Sequence, residues 1–261
     1  MVSTLIISTY NWAEALNLVL KSVENQLVLP DEVIIADDGS NEITKTLIKK
    51  YQLKFPVPLT HIWHEDVGFT KSVILNKAIA KSKGDYIIQV DGDCIMHKCF
   101  IKDHLSFASS EVYLYGSRVN IQEKHLTNLF FENQIKFNFF SKGIKKRTRS
   151  LYIPVLAWFY KKRNIFSKKY RGCNTSYFKN DAVLINGYDE NFVGWGREDS
   201  EFALRLHHNN IKGRRLRYKG IVYHIFHNEK SKKNIEKNNY IEEYTLKNKI
   251  KKCINGIDKY L

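Results

Sequence analysis

The sequence lacks the features that define several classes of protein. Its 261 residues include only four cysteines and no CxxC pair, which argues against a zinc knuckle or a disulfide framework. The most apolar later stretch, residues 152–160, is far shorter than the roughly 20 residues of a membrane-spanning helix. The first apolar run, residues 5–7, has neither a basic leader nor a cleavage site. These absences predict a protein of the reducing cytoplasm.

Positive charge, by contrast, is abundant. The chain has 42 Lys and Arg against 27 Asp and Glu, a formal net charge of +15, and its isoelectric point is about 9.5. Hydrophobic residues make up 43% and charged residues 26%, which is ordinary globular usage and excludes a mainly disordered or fibrous chain. Such a charge indicates a nucleic-acid or membrane partner only where it is concentrated, so its position along the chain matters most.

The first hundred residues alternate between strand and helix patterns. Four short apolar runs, rich in β-branched residues, predict buried strands at residues 4–9, 32–36, 59–63 and 85–90. Apolar residues at helical spacing lie between these runs, and Asn11 and Asn41 stand where the first two helices would be capped. The alternation predicts an α/β fold, in which helices flank a mainly parallel sheet.

Three of the predicted strands end in polar clusters, which are Ser8-Thr9-Tyr10, Asp37-Asp38 and Asp91-Gly92-Asp93. In parallel sheets ligands bind beyond the carboxyl ends of the strands, so the clusters should converge on one site. Asp91 and Asp93 can hold Mg²⁺ or Mn²⁺, although a polar turn explains the same residues. Asp38 can accept a hydrogen bond from a nucleobase and Tyr10 can stack on it, although a turn and an ordinary buried aromatic are the alternatives.

Two further patterns in the second half indicate chemistry. Glycines flank Trp195 in Gly194-Trp195-Gly196, and the helix that follows opens on Glu198 and Asp199. The helix dipole favours acids in a first turn, but it does not explain the glycines, so we favour a functional loop. His224 and His227 follow an apolar strand, and either imidazole can add a nitrogen ligand to a cation at Asp93, which would favour Mn²⁺.

The basic charge is concentrated in residues 142–171, which contain eleven Lys and Arg interleaved with aromatic residues. One interpretation is that this stretch docks on the anionic inner face of the cytoplasmic membrane, close to a lipid-linked acceptor. The alternative is a solvated, partly disordered insertion. From residue 229 onward the chain is rich in Lys, Glu and Asn, which predicts a solvated helix or tail.

Taken in order, these motifs resemble family 2 glycosyltransferases with the GT-A fold. The resemblance lies in residues 7–11, 37–40, 76–87 and 91–93, and residues 187–206 resemble the C-terminal part of the β-1,4-galactosyltransferases and related bacterial capsule-polymer transferases. It covers residues 2–228 and implies a single catalytic domain. Residues 1–100 would be its nucleotide-binding half, residues 101–228 its acceptor-binding half with the basic insertion 142–171, and residues 229–261 a basic helical extension.

The resemblance also implies roles for individual residues. The nucleotide sugar, a UDP-sugar, would be bound by Ser8, Thr9, Tyr10, Asp38, Lys71, Asp91 and Gly194. The cation, Mn²⁺ or Mg²⁺, would be bound by Asp93 and Asp91 together with His224, with His227 in reserve. The acceptor would contact Glu198, Trp195 and Arg197, and Trp195 would lie on a mobile loop. Asp199 would be the catalytic base, ionised at neutral pH with a pKa in the ordinary carboxylate range.

These roles predict an inverting, metal-dependent transfer of a hexose or N-acetylhexosamine to a glycan or lipid-linked saccharide, in bacterial capsule or lipopolysaccharide synthesis. A sugar nucleotidyltransferase is an alternative, but it would normally carry a glycine-rich phosphate loop after its first strand, and residues 8–12 contain no glycine. A basic nucleic-acid-binding protein is a second alternative. It leaves the acids at positions 91, 93, 198 and 199 unexplained, so no nucleic-acid partner is expected.

Overall fold

The computed structural model describes residues 1–163, 165–167, 169–228 and 233–261. Its strands are β1 (Ser3–Thr9), β2 (Glu32–Asp37), β3 (Leu59–Trp63), β4 (Tyr86–Asp91), β5 (Cys94–Met96), β6 (Val112–Tyr115), β7 (Ser117–Ile121), β8 (Ile144–Lys145), β9 (Asn174–Phe178), β10 (Lys212–Arg215) and β11 (Ile221–His224). Its helices are α1 (Ala13–Glu24), α2 (Glu42–Gln52), α3 (Lys71–Lys81), α4 (Phe100–Phe107), α5 (Leu126–Phe131), α6 (Pro154–Ala157), α7 (Lys179–Leu184), α8 (Glu198–His208) and α9 (Ile235–Lys247). Short 3-10 helices lie at Glu123–His125, Arg147–Arg149 and Ile257–Tyr260.

The main sheet has the strand order β10-β6-β9-β4-β1-β2-β3. Its pairs are parallel except for the two made by β9, which runs antiparallel to both β4 and β6. The predicted α/β fold with a mainly parallel sheet is therefore confirmed. The carboxyl ends of all strands except β9 lie along one edge, which we call the ligand edge, and β9 begins there.

Hydrophobic cores cover both faces of the main sheet. On β1, Ile6 packs with α3 and α8 on one face, whereas Leu5 and Ile7 pack with α1 and α2 on the other. Each fully buried side chain of this kind contributes roughly 1.5–3 kcal/mol. Burial on both faces explains why the predicted strands are continuous apolar runs instead of alternating ones.

A second, four-stranded sheet has the order β5-β11-β7-β8. It begins directly after β4, because only Gly92 and Asp93 separate β4 from β5. Strand β5 pairs antiparallel with β11, and Cys94 lies opposite His224 in that pair. This register brings residues that are 130 positions apart in sequence to neighbouring places beside the ligand edge.

The basic stretch 142–171 is folded against the domain across its described residues. Tyr170 and Ile144 are buried in hydrophobic clusters, and the Tyr152 hydroxyl donates a 3.0 Å hydrogen bond to Asp103 Oδ1. The segment around α6 nevertheless exposes apolar side chains: Trp158 is 62% exposed and Phe159 76% exposed. Ordered packing thus accompanies an exposed aromatic surface.

The C-terminal stretch packs more closely than a solvated tail would. Thr245 on α9 donates a 3.1 Å hydrogen bond to the buried Glu201 on α8, and Ile257 is fully buried in the core that also contains Ile74. Residues 229–232 of this predicted extension lie outside the described residues. No helix in the part of the chain that the structure describes combines the length and apolarity needed to cross a membrane.

The predicted caps of the first two helices have different outcomes. Asn41 caps α2, because its side chain accepts a 3.1 Å hydrogen bond from the Ile43 N–H. Asn11 does not cap α1, whose N-cap residue is Trp12. The left-handed backbone at Asn11 directs its side chain to the N–H of Asn41, 2.8 Å away, so it holds the loop before α2 instead.

Candidate active site

Asp38 is the most fully bound polar residue at the end of β2. Its carboxylate accepts hydrogen bonds from the Thr70 N–H at 2.9 Å, the Thr70 hydroxyl at 2.7 Å and the His64 Nε2 at 2.9 Å. His64 comes directly after β3, and Thr70 precedes α3. Three segments of the ligand edge are therefore held together around one buried carboxylate.

Tyr10 lies at the rim of this edge, with 43% of its surface exposed. Its hydroxyl donates a 2.7 Å hydrogen bond to Asp66, and Asp66 packs against Gly39 so closely that a Cβ there would lie 2.6 Å from the Asp66 Cα. Gly39 also has a φ of +97°, which favours glycine. Tyr10 and Asp38 line one wall of an open pocket of about 440 Å³.

Gly194 and Trp195 line the same pocket. Trp195 is 43% exposed, and the Gly194 N–H donates a 3.2 Å hydrogen bond to the Phe69 carbonyl. The glycine-flanked loop of the second half thus shares a pocket with Tyr10 and Asp38 of the first half. The pocket combines two aromatic side chains with a volume in the range of small-molecule sites.

Asp91 lies at the end of β4, between two donors. Its Oδ1 accepts hydrogen bonds from the Ser8 hydroxyl and the Lys71 ammonium group, both at 2.8 Å. Thr9 is buried beside it, and its backbone carbonyl accepts a 3.0 Å hydrogen bond from the Asp38 N–H. Burial raises the pKa of Asp91, but Lys71 and Ser8 outweigh it, so the net pKa is lowered and the group is ionised.

Asp93, His224 and His227 form a compact cluster of candidate metal ligands. Their ligand atoms lie within 4.8 Å of one another, with Asp93 Oδ2 at 3.6 Å from His224 Nε2 and 3.4 Å from His227 Nε2. Metal–ligand bonds of about 2.1 Å at right angles place neighbouring ligand atoms about 3 Å apart, so the spacing suits a cation. Asp91 is outside this cluster and is bound to Ser8 and Lys71 instead.

The imidazole groups of the cluster are prepared to act as ligands. Burial lowers the pKa of His224, and Arg118 and His227 lower it further, while Asp93 raises it; the net shift favours neutral imidazole, the form that binds metals. His227 Nδ1 lies 2.7 Å from the Asn228 carbonyl, which accepts from a protonated Nδ1 and leaves Nε2 free to face Asp93. This set of one oxygen and two nitrogen ligands fits Mn²⁺.

Glu198 and Asp199 are the first two residues of α8, and both lie close enough to Lys71 to raise its pKa. Asp199 Oδ2 accepts a 2.9 Å hydrogen bond from the Gly172 N–H, whereas its Oδ1 is buried with no hydrogen-bond partner among the described residues. A Cβ on Gly172 would lie only 2.0 Å from that Oδ1. The carboxylate is therefore held from one side and has one acceptor oxygen left for a ligand.

The pKa values of Asp199 and Glu198 depend on the charges of Lys71 and Asp91 at the ligand edge. Burial lowers the pKa of Lys71, but Asp91, Asp199 and Glu198 together hold it well above its usual range. Burial, followed by the Asp199 charge, raises the pKa of Glu198 to about 7. Burial and Asp91 also raise the pKa of Asp199, although Lys71 opposes them. The expectation of an ordinary pKa at Asp199 is therefore wrong, because the carboxyl group is buried and Asp91 lies close to it.

Arg197 differs from its predicted role as an acceptor contact. Its guanidinium group donates a 2.7 Å hydrogen bond to Asn239 and lies 3.4 Å from the Glu242 carboxylate, both on α9. The left-handed backbone of Arg197, with φ of +77°, stands at the start of α8. Its side chain is thus engaged by the C-terminal helix, and Glu198 contacts the loop by accepting a 3.1 Å hydrogen bond from the Gly196 N–H.

Several residues that contact the site have no role predicted from the sequence. His64 and Thr70 bind Asp38, Gly172 binds Asp199, and Arg118 lies close enough to His224 to affect its pKa. His64 follows a predicted strand, so the rule that ligands bind at strand ends was a usable signal for it. Arg118 and Gly172 carry no comparable local signal, because their position depends on long-range strand pairing.

Together, the fold and the site define an α/β protein whose polar residues gather at the carboxyl edge of a mainly parallel sheet, with a cation site beside them. The chain belongs to glycosyl transferase family 2, because the model of that family matches residues 4–166. A second family model, described as the N-terminal domain of galactosyltransferase, matches residues 154–228. The two matches together cover Tyr10, Asp38, Gly194 and Trp195 of the pocket, whereas Lys233 and Asn234 lie beyond them.

Curated relatives include polysaccharide synthases. The chain is 25% identical over 219 residues to a chondroitin synthase of Pasteurella multocida, covering 78% of this chain and 22% of that protein. It is 26% identical over 131 residues to a cholesterol galactosyltransferase of Borreliella burgdorferi, covering 47% and 36% of the two chains. For an Escherichia coli chondroitin synthase, 25% identical over 221 residues, the shares are 78% and 32%. The chain thus spans about a fifth to a third of the length of these relatives.

Solved structures with the same fold include S. aureus TarS (residues 1–349), with a TM-score of 0.63 and 17% identity over 95% of this chain and 66% of the TarS chain. The mannosyltransferase PcManGT from Pyrobaculum calidifontis has a TM-score of 0.58 and 15% identity, covering 85% and 56%. TarS has been solved with UDP and with UDP-GlcNAc, and PcManGT with GDP-Man and Mn²⁺. These likenesses confirm the predicted GT-A fold.

Proposed function

We propose that the protein is an inverting, metal-dependent glycosyltransferase that moves a hexose or N-acetylhexosamine from a UDP-sugar to a hydroxyl group of a glycan or lipid-linked acceptor. The product would be a β-glycoside, made in the synthesis of a bacterial capsule or lipopolysaccharide. The observation that carries the proposal is spatial. Asp93, His224 and His227 form a candidate cation cluster, and Asp93 is two residues from Asp91, which together with the buried Asp199 raises the pKa of Lys71.

The nucleotide would occupy the pocket between Tyr10 and Trp195. Tyr10 offers an aromatic face for the base, and Asp38, fixed by Thr70 and His64, offers a carboxylate oxygen to a ring N–H. Ser8 and Thr9 would contact the nucleotide beyond this pocket, and Asp91, bound to Ser8, would face the ribose or the donor sugar. The UDP and GDP ligands of the fold relatives support a nucleotide-sugar donor.

Asp199 would act as the general base. Its free Oδ1 would accept the proton of the acceptor hydroxyl while that oxygen attacks the anomeric carbon from the face opposite the nucleotide. The C–O bond to the nucleotide breaks as the new one forms, so a single displacement inverts the anomeric centre. Glu198 would hold the acceptor, because its raised pKa lets it donate or accept a hydrogen bond near neutral pH.

Asp93, His224 and His227 would bind the cation, which fits their mixed oxygen and nitrogen donor set. When bound, the cation supplies positive charge that neutralises the diphosphate leaving group. Lys71 would not take over the role of the cation, because its ammonium group donates a 2.8 Å hydrogen bond to Asp91, which already neutralises its charge. The side chain of Trp12 packs edge-on against the His227 ring, with centroids 6.3 Å apart, and so positions that ligand.

The test is a binding measurement followed by turnover. Isothermal titration calorimetry with UDP should show binding that strengthens when Mn²⁺ is present, and UDP should be released from one member of a UDP-sugar panel. His227→Ala should weaken Mn²⁺ binding by about tenfold or more, because one of three ligands is lost. His208→Ala is the matched control, since His208 binds the Ile250 carbonyl far from the cluster. A protein that binds neither UDP nor Mn²⁺ would refute the proposal.

The exposed segment around α6 is the part that would contact a membrane. Val155, Trp158 and Phe159 are exposed beside Lys161 and Lys162, which is the composition of a surface that binds anionic lipid. We propose peripheral contact with the inner leaflet, close to a lipid-linked acceptor. Flotation with anionic vesicles at moderate salt should recover the wild-type protein, and Trp158→Ala/Phe159→Ala should reduce that fraction. Absence of wild-type flotation would remove this contact.

A further inference from the structure

A cluster of arginines next to the candidate active site makes no ion pair with an acidic residue in the part of the chain that the structure describes. Arg118 lies on β7, Arg149 in the 3-10 helix at Arg147–Arg149, Arg215 at the end of β10, and Arg217 in the loop before β11. The ion pairs found among the described residues use other cations. We call these four residues the arginine cluster.

The sequence explains why the cluster is unpaired. Its residues come from three segments, 112–122, 133–180 and 202–228, and none of the three contains an Asp or a Glu. Each of the four side chains is half-buried, so their charges are only partly solvated. Burial lowers the pKa of Arg118, but nearby groups that include Asp93 and Asp91 raise the net value. Partly desolvated cations without a compensating anion are costly, so the other three arginines of the cluster would gain most from a ligand that supplies negative charge.

Hydrogen bonds hold the three segments together. The Arg149 guanidinium group donates to the Arg118 carbonyl at 3.1 Å, and the Arg215 guanidinium group donates to the Ser117 hydroxyl at 3.1 Å. The Arg217 guanidinium group stacks on the Tyr218 ring, with 4.6 Å between its carbon and the ring centroid. Burial, and then the charges of Arg215, Arg217 and Arg118, lowers the pKa of Arg149, which shows that the like charges feel one another.

The cluster lies beside the reacting groups. In the second sheet Arg118 pairs with Val222 and Asn120 with His224, so Arg118, Asn120 and His224 share one face. The Oδ1 of Asn120 is buried with no hydrogen-bond partner among the described residues, which leaves an amide oxygen on that face for a ligand.

Asn174 connects the cluster to the catalytic carboxylate. Its buried side-chain amide donates to the Ser117 carbonyl at 3.2 Å and to the Gly220 carbonyl at 2.7 Å. Gly172, two residues earlier, donates its N–H to Asp199. A saccharide whose hydroxyl reaches Asp199 would therefore place its neighbouring sugar units near the arginine cluster.

We propose that Arg118, Arg149, Arg215 and Arg217 bind a negatively charged group of the acceptor, a carboxylate or a phosphate, so that the enzyme extends an anionic polysaccharide. The guanidinium fork matches both kinds of anion through paired N–H donors. The inference rests on the proposed transfer reaction and deepens it by naming the acceptor class. Its test uses binding, so that the two can fail separately.

The experiment compares matched acceptors in the presence of UDP and Mn²⁺. One pair is a glucuronate-containing tetrasaccharide and its carboxyl-reduced neutral form, and the other is a phosphorylated oligosaccharide and its dephosphorylated form. Calorimetry should show that the wild-type protein binds a charged member about tenfold or more tightly than its neutral partner. This ratio should fall as salt is raised, because the interaction is partly screened. The pair that shows the preference identifies the anion as carboxylate or phosphate.

Arg217→Ala is the sharpest variant, because the Arg217 guanidinium group stacks on Tyr218 and makes no hydrogen bond within the described residues. It should bring the affinity ratio close to one, and Arg217→Lys should restore part of it. Arg215→Ala provides a second variant if the first folds poorly, and circular dichroism verifies folding. Lys50→Ala, at an exposed site on α2, is the control that should keep the full ratio.

Three outcomes would overturn the inference. The first is a wild-type protein that binds UDP and Mn²⁺ yet shows no preference for either charged saccharide, a result that leaves the transfer proposal intact. Arg217→Ala could weaken UDP binding as much as saccharide binding, which would assign the cluster to the donor. If Arg217→Ala lost binding to anionic vesicles while its affinity ratio for charged over neutral saccharides stayed unchanged, the arginine cluster would be assigned to a lipid headgroup. Preference for a charged saccharide without UDP binding would instead refute the transfer reaction alone.

Discussion

The two sides of the candidate site differ in how completely the protein satisfies their polar groups. On the nucleotide side, formed by Asp38 with its partners, the carboxylate accepts three hydrogen bonds from Thr70 and His64. On the proposed acceptor side, formed by Asp199 and the arginine cluster, Asp199 Oδ1 is buried and has no hydrogen-bond partner among the described residues, and no described acid forms an ion pair with the guanidinium groups. The protein itself supplies three hydrogen bonds to the Asp38 carboxylate, whereas Asp199 Oδ1 can still accept a hydrogen bond from a ligand.

This difference has a physical meaning. A fully hydrogen-bonded carboxylate is fixed in position before the ligand arrives, so binding costs little reorganisation. An unpartnered buried polar atom costs about 1–3 kcal/mol, which a ligand that pairs with it can recover. If the proposed roles hold, the Asp38 side is fixed before the nucleotide binds, whereas binding of the acceptor would satisfy polar groups that the protein leaves unpaired.

The largest expected effect comes from removing the base on the acceptor side. Asp199→Asn should lower kcat for transfer by about 10²–10⁴-fold, because the amide cannot take the acceptor proton. UDP affinity should stay close to wild type, since the amide oxygen can still accept the Gly172 N–H. Steady-state kinetics and UDP calorimetry measure the two quantities. Near-normal turnover of this variant would show that Asp199 is not the base.

The pH dependence of stability tests the burial of the neighbouring acid. Because burial and Asp199 raise the pKa of Glu198 to about 7, the folded protein keeps that proton to a higher pH than the unfolded chain does. The free energy of unfolding should therefore fall between pH 4.5 and 7 by about 3 kcal/mol more in the wild type than in Glu198→Gln. Urea denaturation at pH 5 and pH 8 measures this; parallel profiles would contradict the burial argument.

Gly172→Ala tests whether a close backbone approach positions the base. The new Cβ would lie 2.0 Å from Asp199 Oδ1, so the carboxylate must move, and kcat should fall by up to about 100-fold. The control is the double variant with Asp199→Asn. If Gly172 acts through Asp199, the double variant should be no slower than Asp199→Asn alone. An additive loss would mean that Gly172 acts on something else.

The smallest effect is expected on the nucleotide side. Asp38→Ala leaves the Thr70 and His64 donors unpaired, so the protein should lose about 1–3 kcal/mol of stability and UDP should bind about tenfold more weakly. Asp66→Ala is the matched control, because Asp66 is an exposed carboxylate whose hydrogen bond to Tyr10 is screened by solvent. Thermal unfolding and calorimetry compare the two. Equal effects would remove the contrast between the two sides.

A buried ion pair fixes the position of α8, the helix that begins with Glu198 and Asp199. Arg205 and Glu201 on α8 are fully buried and joined by two 2.7 Å hydrogen bonds, and Arg205 also donates to the Gly187 carbonyl at 2.7 Å. Burial lowers the pKa of Arg205, but Glu201 outweighs it and raises the net value, so the pair stays charged. The start of α8, with its two acids, is thereby anchored to the glycine-containing segment that precedes it.

Local patterns in the sequence were enough to predict the first four strands to within two residues and the ligand edge at their carboxyl ends. Strands buried on both faces require continuous apolar runs, and the polar residues that follow them are visible without a structure. The grouping of Ser8, Asp38 and Asp91 follows from that rule alone. The family resemblance added roles that composition cannot supply, such as a base at Asp199.

Only the tertiary structure decided which distant residues meet. The pairing of β5 with β11 brings both His224 and His227 to Asp93, whereas spacing along the chain could not choose between them. The same applies to Arg197, which is drawn to α9, and to Asp199, whose pKa is raised by burial near other carboxylates. Short-range periodicity encodes helices and strands, but register, burial and charge environment depend on contacts between residues far apart in sequence.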